Sequence, residues 1–328
     1  MNSNKTAIKI FPLLWSLLCL AFPAGAQDSN FKYPIAEIEQ ALRSRWFQVT
    51  NISTLKRLGE APGSTLYQAK QVTLKFLDGK TMKVKWKTAP HQGETFNNQP
   101  RYEIAAYQLQ KLFLEPEEYV VPPTVGQCLP LQQYRVIDNK VIPTFDNSSA
   151  VFCVLQYWLD NVTFEKIYDK KRFESDPKYA RHLGNMNIFS YLIKHMDSNV
   201  GNFLISTDRA NPRVFAVDNG VAFGGEASAR GTRWRDLRVK SVPKETIDRL
   251  RKITLEDLEK HLGVVAQFAV VNGQLVPKDP TPNLDKEGGV RQKDDLIQFG
   301  LTAEEVMGVY NRLNKLLQDV DAGKIQTF

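Results

Sequence analysis

Two short apolar runs, each bounded by a hard oxygen donor, constrain this chain more than any other feature. Asn202 opens the run Phe203-Leu204-Ile205, and Asp218 closes the run Val214-Phe215-Ala216-Val217 before Asn219-Gly220. Upstream, Ile188, Phe189, Leu192, Ile193 and Met196 recur at helical spacing. That spacing predicts a helix ending just before Asp197, which would sit on a short polar loop leading to Asn202. Two strands should follow, with Asn219-Gly220 allowing a sharp turn after the second. A lone Asp at a helix end is ordinarily a cap, and a lone Asp-Asn-Gly is ordinarily a turn. The ordered set, in which Asp197, Asn202 and Asp218 would be brought to one place, is more specific than either.

The chain before this set reads as β-rich. From Ile52 to Lys87, Leu55-Lys56-Arg57-Leu58 leads into Gly59-Glu60-Ala61-Pro62-Gly63-Ser64, and Leu66 to Phe76 then alternates apolar and polar. Asp78-Gly79 is a hairpin signal, and Met82 to Lys87 alternates again. Three antiparallel strands are expected, with a glycine-bearing turn between the first two. Pro100 suits a first helical position, with Ile104, Ala105, Leu109 and Leu112 as the buried stripe. Tyr134 to Ile137 and Val151 to Leu155 read as two further strands. Beyond about residue 157 the pattern turns helical. Thr254-Leu255-Glu256-Asp257 and Thr302-Ala303-Glu304-Glu305 resemble capping boxes, and Val276 to Gln292 reads as a long surface loop.

This arrangement has a chemical use. Phosphoryl transfer needs metal ions on a triphosphate and a positioned hydroxyl nucleophile, with little covalent help from protein. Asp218 and the Asn202 amide oxygen could supply magnesium (or manganese) ligands, and Asp197 could accept or orient the nucleophile's proton. The backbone around Gly63 and the Ser64 hydroxyl could cover phosphates. Lys83, Lys85 and Lys87 share one face of the third predicted strand, a solvated edge face being the alternative for any one of them.

The motif Asp197 to Asn202, followed by Asp218 to Phe223, resembles the catalytic and metal loops of type II phosphatidylinositol 4-kinases. Tyr102-Glu103-Ile104-Ala105-Ala106-Tyr107-Gln108-Leu109, with Val121-Pro122-Pro123-Thr124-Val125 after it, resembles secretory-pathway kinases of the Golgi casein kinase and four-jointed type. The similarity is scattered over roughly residues 50 to 225. It implies an α+β, two-lobed protein-kinase-like fold: a small antiparallel β lobe with one helix (27–156), then a larger, mainly α lobe (157–328). It also implies ATP and magnesium as cofactors, with Asp197 catalytic and Asn202 and Asp218 holding the metal. Glu103 would hold the nucleotide-binding lysine. Lys87 is the preferred lysine because Trp86-Lys87 matches those families best, and Lys85 is the runner-up. The Arg that often follows the catalytic Asp is Ser198 here. Gln156 to Leu159 falls where an interlobe hinge would grip adenine, Trp158 there being equally explicable as packing.

Lys5 and Lys9 precede an apolar run from Ile10 to Phe22 and small residues at Ala24-Gly25-Ala26, the pattern of a secretory signal peptide over residues 1–26. Export to a periplasm, the extracellular space or a secretory lumen is expected, with no membrane span after cleavage. Losing Lys5 and Lys9 takes the formal charge from +7 to +5. That modest excess suits phosphate-bearing ligands and gives no reason to expect nucleic acid. Cys128 and Cys153 could pair in an oxidising compartment, or stay as two buried thiols. Arg230, Arg233, Arg235, Arg238 and Lys240 could meet an acidic acceptor or form a solvated face. The leading expectation is an exported kinase acting on a hydroxyl of a protein, sugar or lipid. Adenylyl transfer or carboxylate activation on the same fold, and an inactive pseudokinase scaffold, are the alternatives.

Overall fold

The computed structural model describes residues 28–55, 69–95, 98–195, 201–224 and 238–328. The expected signal peptide therefore lies outside the described residues. Strands β1 (Phe47–Thr54), β2 (Lys70–Phe76), β3 (Thr81–Thr88), β4 (Thr124–Pro130) and β5 (Ala150–Tyr157) form one antiparallel sheet in the order β1-β2-β3-β5-β4. Its hairpin turns where Asp78-Gly79 directs, with Gly79 at φ 82°. The period of two sorts the side chains. Val72, Leu74, Met82, Val84 and Trp86 bury on one face beneath helix α1 (Ile35–Arg43), together with Phe31 and Tyr134. Lys85 and Lys87 point to the other face, where α2 (Pro100–Gln110) crosses the sheet.

Helix α2 begins at Pro100 as expected, but it is no ordinary amphipathic helix. Nearly every residue from Pro100 to Gln110 is buried, because the sheet covers one side and a second core covers the other. Ala105 and Ala106 carry almost no side-chain bulk, which lets the helix approach both. The Gln110 side chain accepts the Val120 and Val121 N–H groups at 2.8 and 2.9 Å and donates to Val121 O, ending the helix against the chain that leads into β4.

The remaining elements are β6 (Val162–Thr163), α4 (Lys170–Ser175), α5 (Pro177–Leu192), β7 (Phe203–Ser206), β8 (Val214–Ala216), β9 (Ser241–Val242), α6 (Lys244–Leu250), α7 (Leu255–Leu262), β10 (Ala266–Val271), β11 (Gln274–Pro277), β12 (Val290–Lys293), β13 (Leu296–Phe299), α8 (Ala303–Asp321) and β14 (Gln326–Thr327), with a one-turn α3 (Leu131–Tyr134) after β4. Helix α5 is the apolar axis of the second core, packed by β7, β8, α7 and α8. Both predicted capping boxes are present. Thr254 and Asp257 start α7, and Thr302 and Glu305 start α8, each pair satisfying backbone N–H groups that a helix start leaves unbonded.

The chain is thus α+β with mostly antiparallel sheets, and several local expectations are corrected: α1 and the one-turn α3 join α2, where a single helix was expected before residue 157. Tyr134 to Ile137 is not a strand. It is the end of α3 and a turn, and Tyr134 is held there by the Trp86 indole N–H at 2.6 Å; β4 is the preceding segment, stopped at a sheet edge by Pro130. The first strand lies earlier than expected, starting at Phe47. The Val276–Gln292 loop is shorter than its composition suggests, because both its ends belong to the sheet β11-β10-β13-β12. Phe268, Leu275, Ile297 and Phe299 of that sheet pack on Phe145, Phe152 and Val154, so the C-terminal third returns to roof the first sheet. The half of the chain after residue 157 is therefore less purely helical than expected.

Cys128 and Cys153 are both buried free thiols. Gln127 lies opposite Cys153 and Cys128 opposite Phe152, so the two thiols face opposite sides of the sheet. No bridge can form across it. Burial pushes both thiols up in pKa.

The segment from Asp28 to Tyr33 lies across the connection from β5 to β6. Asn30, fully buried, donates to Asp160 O at 2.9 Å and Asn161 O at 3.2 Å, and Phe31 stacks on Tyr157. Arg213, 2% exposed, pairs with Asp28 and stands 4.9 Å over the Phe31 ring. Among the described residues no helix is long and apolar enough to cross a membrane.

Candidate functional site

Three elements bring charged side chains to one point beneath the first sheet. Strand alternation turns Lys85 and Lys87 to the same side while Trp86 between them is buried on the other. The first turn of α2 delivers Glu103 under them. The end of β8 delivers Asp218, as the apolar run before it suggested; Val217 donates its N–H to Asn202 O at 2.8 Å, so Asn202 and Asp218 stand on adjacent strand ends.

The distances define a compact four-charge group. Lys87 Nζ lies 3.3 Å from Glu103 Oε1 and 3.5 Å from Asp218 Oδ1. Lys85 Nζ lies 2.9 Å from the same Asp218 oxygen and 3.9 Å from Glu103 Oε1. The other Glu103 oxygen accepts the Asn219 N–H at 2.9 Å, which ties α2 to the turn after β8. Exposure is graded: the Glu103 and Lys87 side chains are 2% and 5% exposed, whereas Asp218 is 38% exposed. The pair is sealed and the aspartate is the open edge. Lys85, and then Lys87, hold the Asp218 carboxyl well below the usual carboxylate range, so it is ionised at neutral pH.

The turn after β8 is built differently from what Asn219-Gly220 suggests. The residue in the left-handed region is Asp218 itself, at φ 58°, with Phe223 at φ 59° four residues after Asn219. Gly220 serves close approach instead. A β-carbon there would fall 2.7 Å from Lys87 Nζ and 3.3 Å from Glu103 Oε1. Phe223 is fixed by its N–H to Ile193 O at 2.7 Å and by its ring, 5.4 Å from that of Tyr102 on α2. Asn219 is 1% exposed, and neither end of its side-chain amide has a partner among the described residues. Burying an amide in that state costs free energy.

Of the residues singled out from sequence, Lys85, Lys87, Glu103 and Asp218 are brought together, and Asn202 stands beside them through its backbone. Asp197, Gly63 and Ser64 lie outside the described residues, as do Arg230, Arg233 and Arg235. Arg238 and Lys240 are exposed. Trp158 is partly exposed and donates its N–H to Lys83 O at 2.9 Å, continuing the strand pairing past β5. Among the described residues no group of three or more His, Cys, Asp or Glu side chains is placed to hold a metal. Sequence reasoning did not find the Asn219 amide or the packing role of Gly220; the Asp-Asn-Gly motif was the available signal, but it reads as a turn. No protein-family model matches the chain, and no curated protein matches it.

Proposed function

We propose that the chain is an ATP-dependent phosphotransferase with a two-lobed, protein-kinase-like arrangement, acting on a hydroxyl-bearing acceptor. The observation that carries this reading is the sealed Lys87–Glu103 pair converging on the half-open Asp218 carboxylate. Kinases require a strand lysine paired with a helix glutamate, and a metal-binding aspartate beside them. A five-stranded antiparallel sheet with one helix between its third and fourth strands supports assigning the first lobe to nucleotide binding.

In this reading Lys87 and Lys85 present fixed positive charge to the nucleotide phosphates, and Glu103 keeps Lys87 from drifting. Asp218 and Asn202 offer hard oxygens of the kind magnesium prefers, and the ion would neutralise charge on the triphosphate. The acceptor oxygen forms a bond to the γ-phosphorus as the bond to the β-phosphate oxygen breaks. Asp197 would take the hydroxyl proton, and ADP leaves. Water is kept from the lysine–glutamate pair by α2 and the sheet, which strengthens its field.

The test is incubation of the purified protein with magnesium and ATP labelled at either the γ- or the α-phosphate, in the presence of protein, sugar and lipid acceptors from an exported compartment. Transfer of γ-label, lost in Lys87→Met, is expected. Transfer of α-label alone would replace this reading with adenylyl transfer. Absence of both, with no ATP binding, would leave a scaffold.

A further inference from the structure

The glutamate at the site stands in the first turn of a helix whose start is held by the far end of the chain. Arg101 and Tyr102, the two residues before Glu103, are 5% and 4% exposed and reach away from the sheet to α8. Arg101 donates to Glu305 Oε1 at 3.0 Å and to Gly300 O at 3.1 Å, and it also contacts Glu94. The Tyr102 hydroxyl donates to the same Glu305 oxygen. Glu305 is thereby held below its ordinary pKa, chiefly by its contacts with Arg101 set against burial. Gly289 closes the other side, where a β-carbon would fall 2.2 Å from Arg101 Nε. The Tyr102 ring, in turn, bears on Phe223, which follows the Asp218 turn.

Glu305 contacts none of Lys85, Lys87, Glu103 or Asp218. It nevertheless grips two consecutive residues of a helix one position before the side chain that orients Lys87. A helix rotates and slides as a unit, so a grip on its first turn fixes where Glu103 points. Resting on the phosphotransferase reading, we propose that Glu305 is a positioning residue for that site. Through Arg101 and Tyr102 it keeps α2 at the height where Glu103 reaches both Lys87 and the Asn219 N–H. The C-terminal third then acts as a built-in brace for the helix.

Glu305 is also the third residue of the α8 capping box, so a variant there disturbs a helix start as well as the brace. Thr302→Ala separates the two effects. It removes the hydroxyl that accepts the Glu305 N–H at 3.2 Å but leaves the Glu305 carboxylate and Arg101 in place. The readout is acylation of the Lys87 amine by a small anhydride, which loses a carboxylate as the amide forms, followed by peptide mass spectrometry on the purified protein without nucleotide, with exposed Lys171 as the internal reference. Glu305→Gln and Glu305→Ala are expected to raise Lys87 labelling about tenfold while Lys171 is unchanged, and Thr302→Ala is expected to leave both unchanged. Where γ-phosphate transfer is measured, the two Glu305 variants should lower kcat more than they raise KM. Equal Lys87 labelling in wild type and both Glu305 variants would overturn the brace, as would an equal rise in Thr302→Ala. If the wild type binds no ATP while Lys87 labelling still rises, the phosphotransferase reading falls and the brace stands as a structural device.

Discussion

Lys87 lies so close to Gly220 that a β-carbon on the glycine would come within 2.7 Å of its ammonium nitrogen. The lysine is 4% exposed and already engaged by Glu103 and Asp218, so it has little room to swing aside. Gly220→Ala should therefore push Lys87 off both carboxylates while leaving the cores intact. The expected result is at least a tenfold loss of ATP affinity by calorimetry together with a lowered melting temperature, since a buried ammonium displaced from both carboxylates is left uncompensated.

Glu103 is the keystone of the charge group, and removing it should cost stability as well as binding. Glu103→Gln leaves the Lys87 ammonium buried with only Asp218 for company, at 3.5 Å. Breaking a buried pair from one side commonly costs about 3–5 kcal/mol, and the remaining Asp218 contact should hold the loss near the lower end. The double variant Lys87→Met/Glu103→Gln should be more stable than Glu103→Gln alone, because no uncompensated charge remains. Urea denaturation of the four members of this cycle checks the sign; a double variant less stable than either single one would refute the account.

His182 gives the fold a pH dependence of its own. It is 9% exposed on α5, and burial, then the Arg213 guanidinium, push its pKa down to about 4; Arg181 acts the same way, and Glu118 and Asp28 oppose. The ring is neutral when folded, whereas the unfolded chain takes up a proton below about pH 6.5. The contribution is thus complete above pH 6.5 and is lost as the pH falls towards 4, by roughly 3 kcal/mol in all. His182→Phe should flatten the pH dependence of unfolding in that window relative to wild type, and equal slopes for the two proteins would reject the assignment.

The two thiols should be inert in the native state. Cys128 and Cys153 are fully buried on opposite faces of the first sheet. A disulfide-exchange reagent should find neither in the folded protein and both after denaturation, and oxidants should not shift the melting temperature. Rapid titration of either thiol without denaturant would count against this packing.

How far the sequence reached depended on how local each signal was. Strand alternation put Lys83, Lys85 and Lys87 on one face and the apolar run before Asp218 put that residue at a strand end, while the choice of Lys87 among the three came from the family resemblance. Pro100 placed the start of the helix, and the role of Glu103 on it came from the family resemblance. The roofing sheet could not, since its strands are four to six residues long. The segment Lys278 to Gly289 between two of them has the Pro, Gly and charge content of a loop. Tyr134 misled because an aromatic followed by Arg135-Val136-Ile137 carries strand propensity, whereas the hydroxyl's bonds to Trp86 and Thr88 hold it beside the sheet. Arg101 and Glu305 are 204 positions apart, with no spacing rule to connect them. Glu305 was legible as a cap and illegible as a brace.

The segment that crosses the β5–β6 connection has a consequence for biosynthesis. Asp28 finds Arg213 across 185 positions, Ser29 finds Asp208 across 179, and Asn30 finds Asp160 across 130. A ribosome delivers these early residues long before their partners, and closing such large loops is slow. The earliest-made of the described residues are therefore expected among the last to be seated, with the Phe31 ring uncovered until its groove forms.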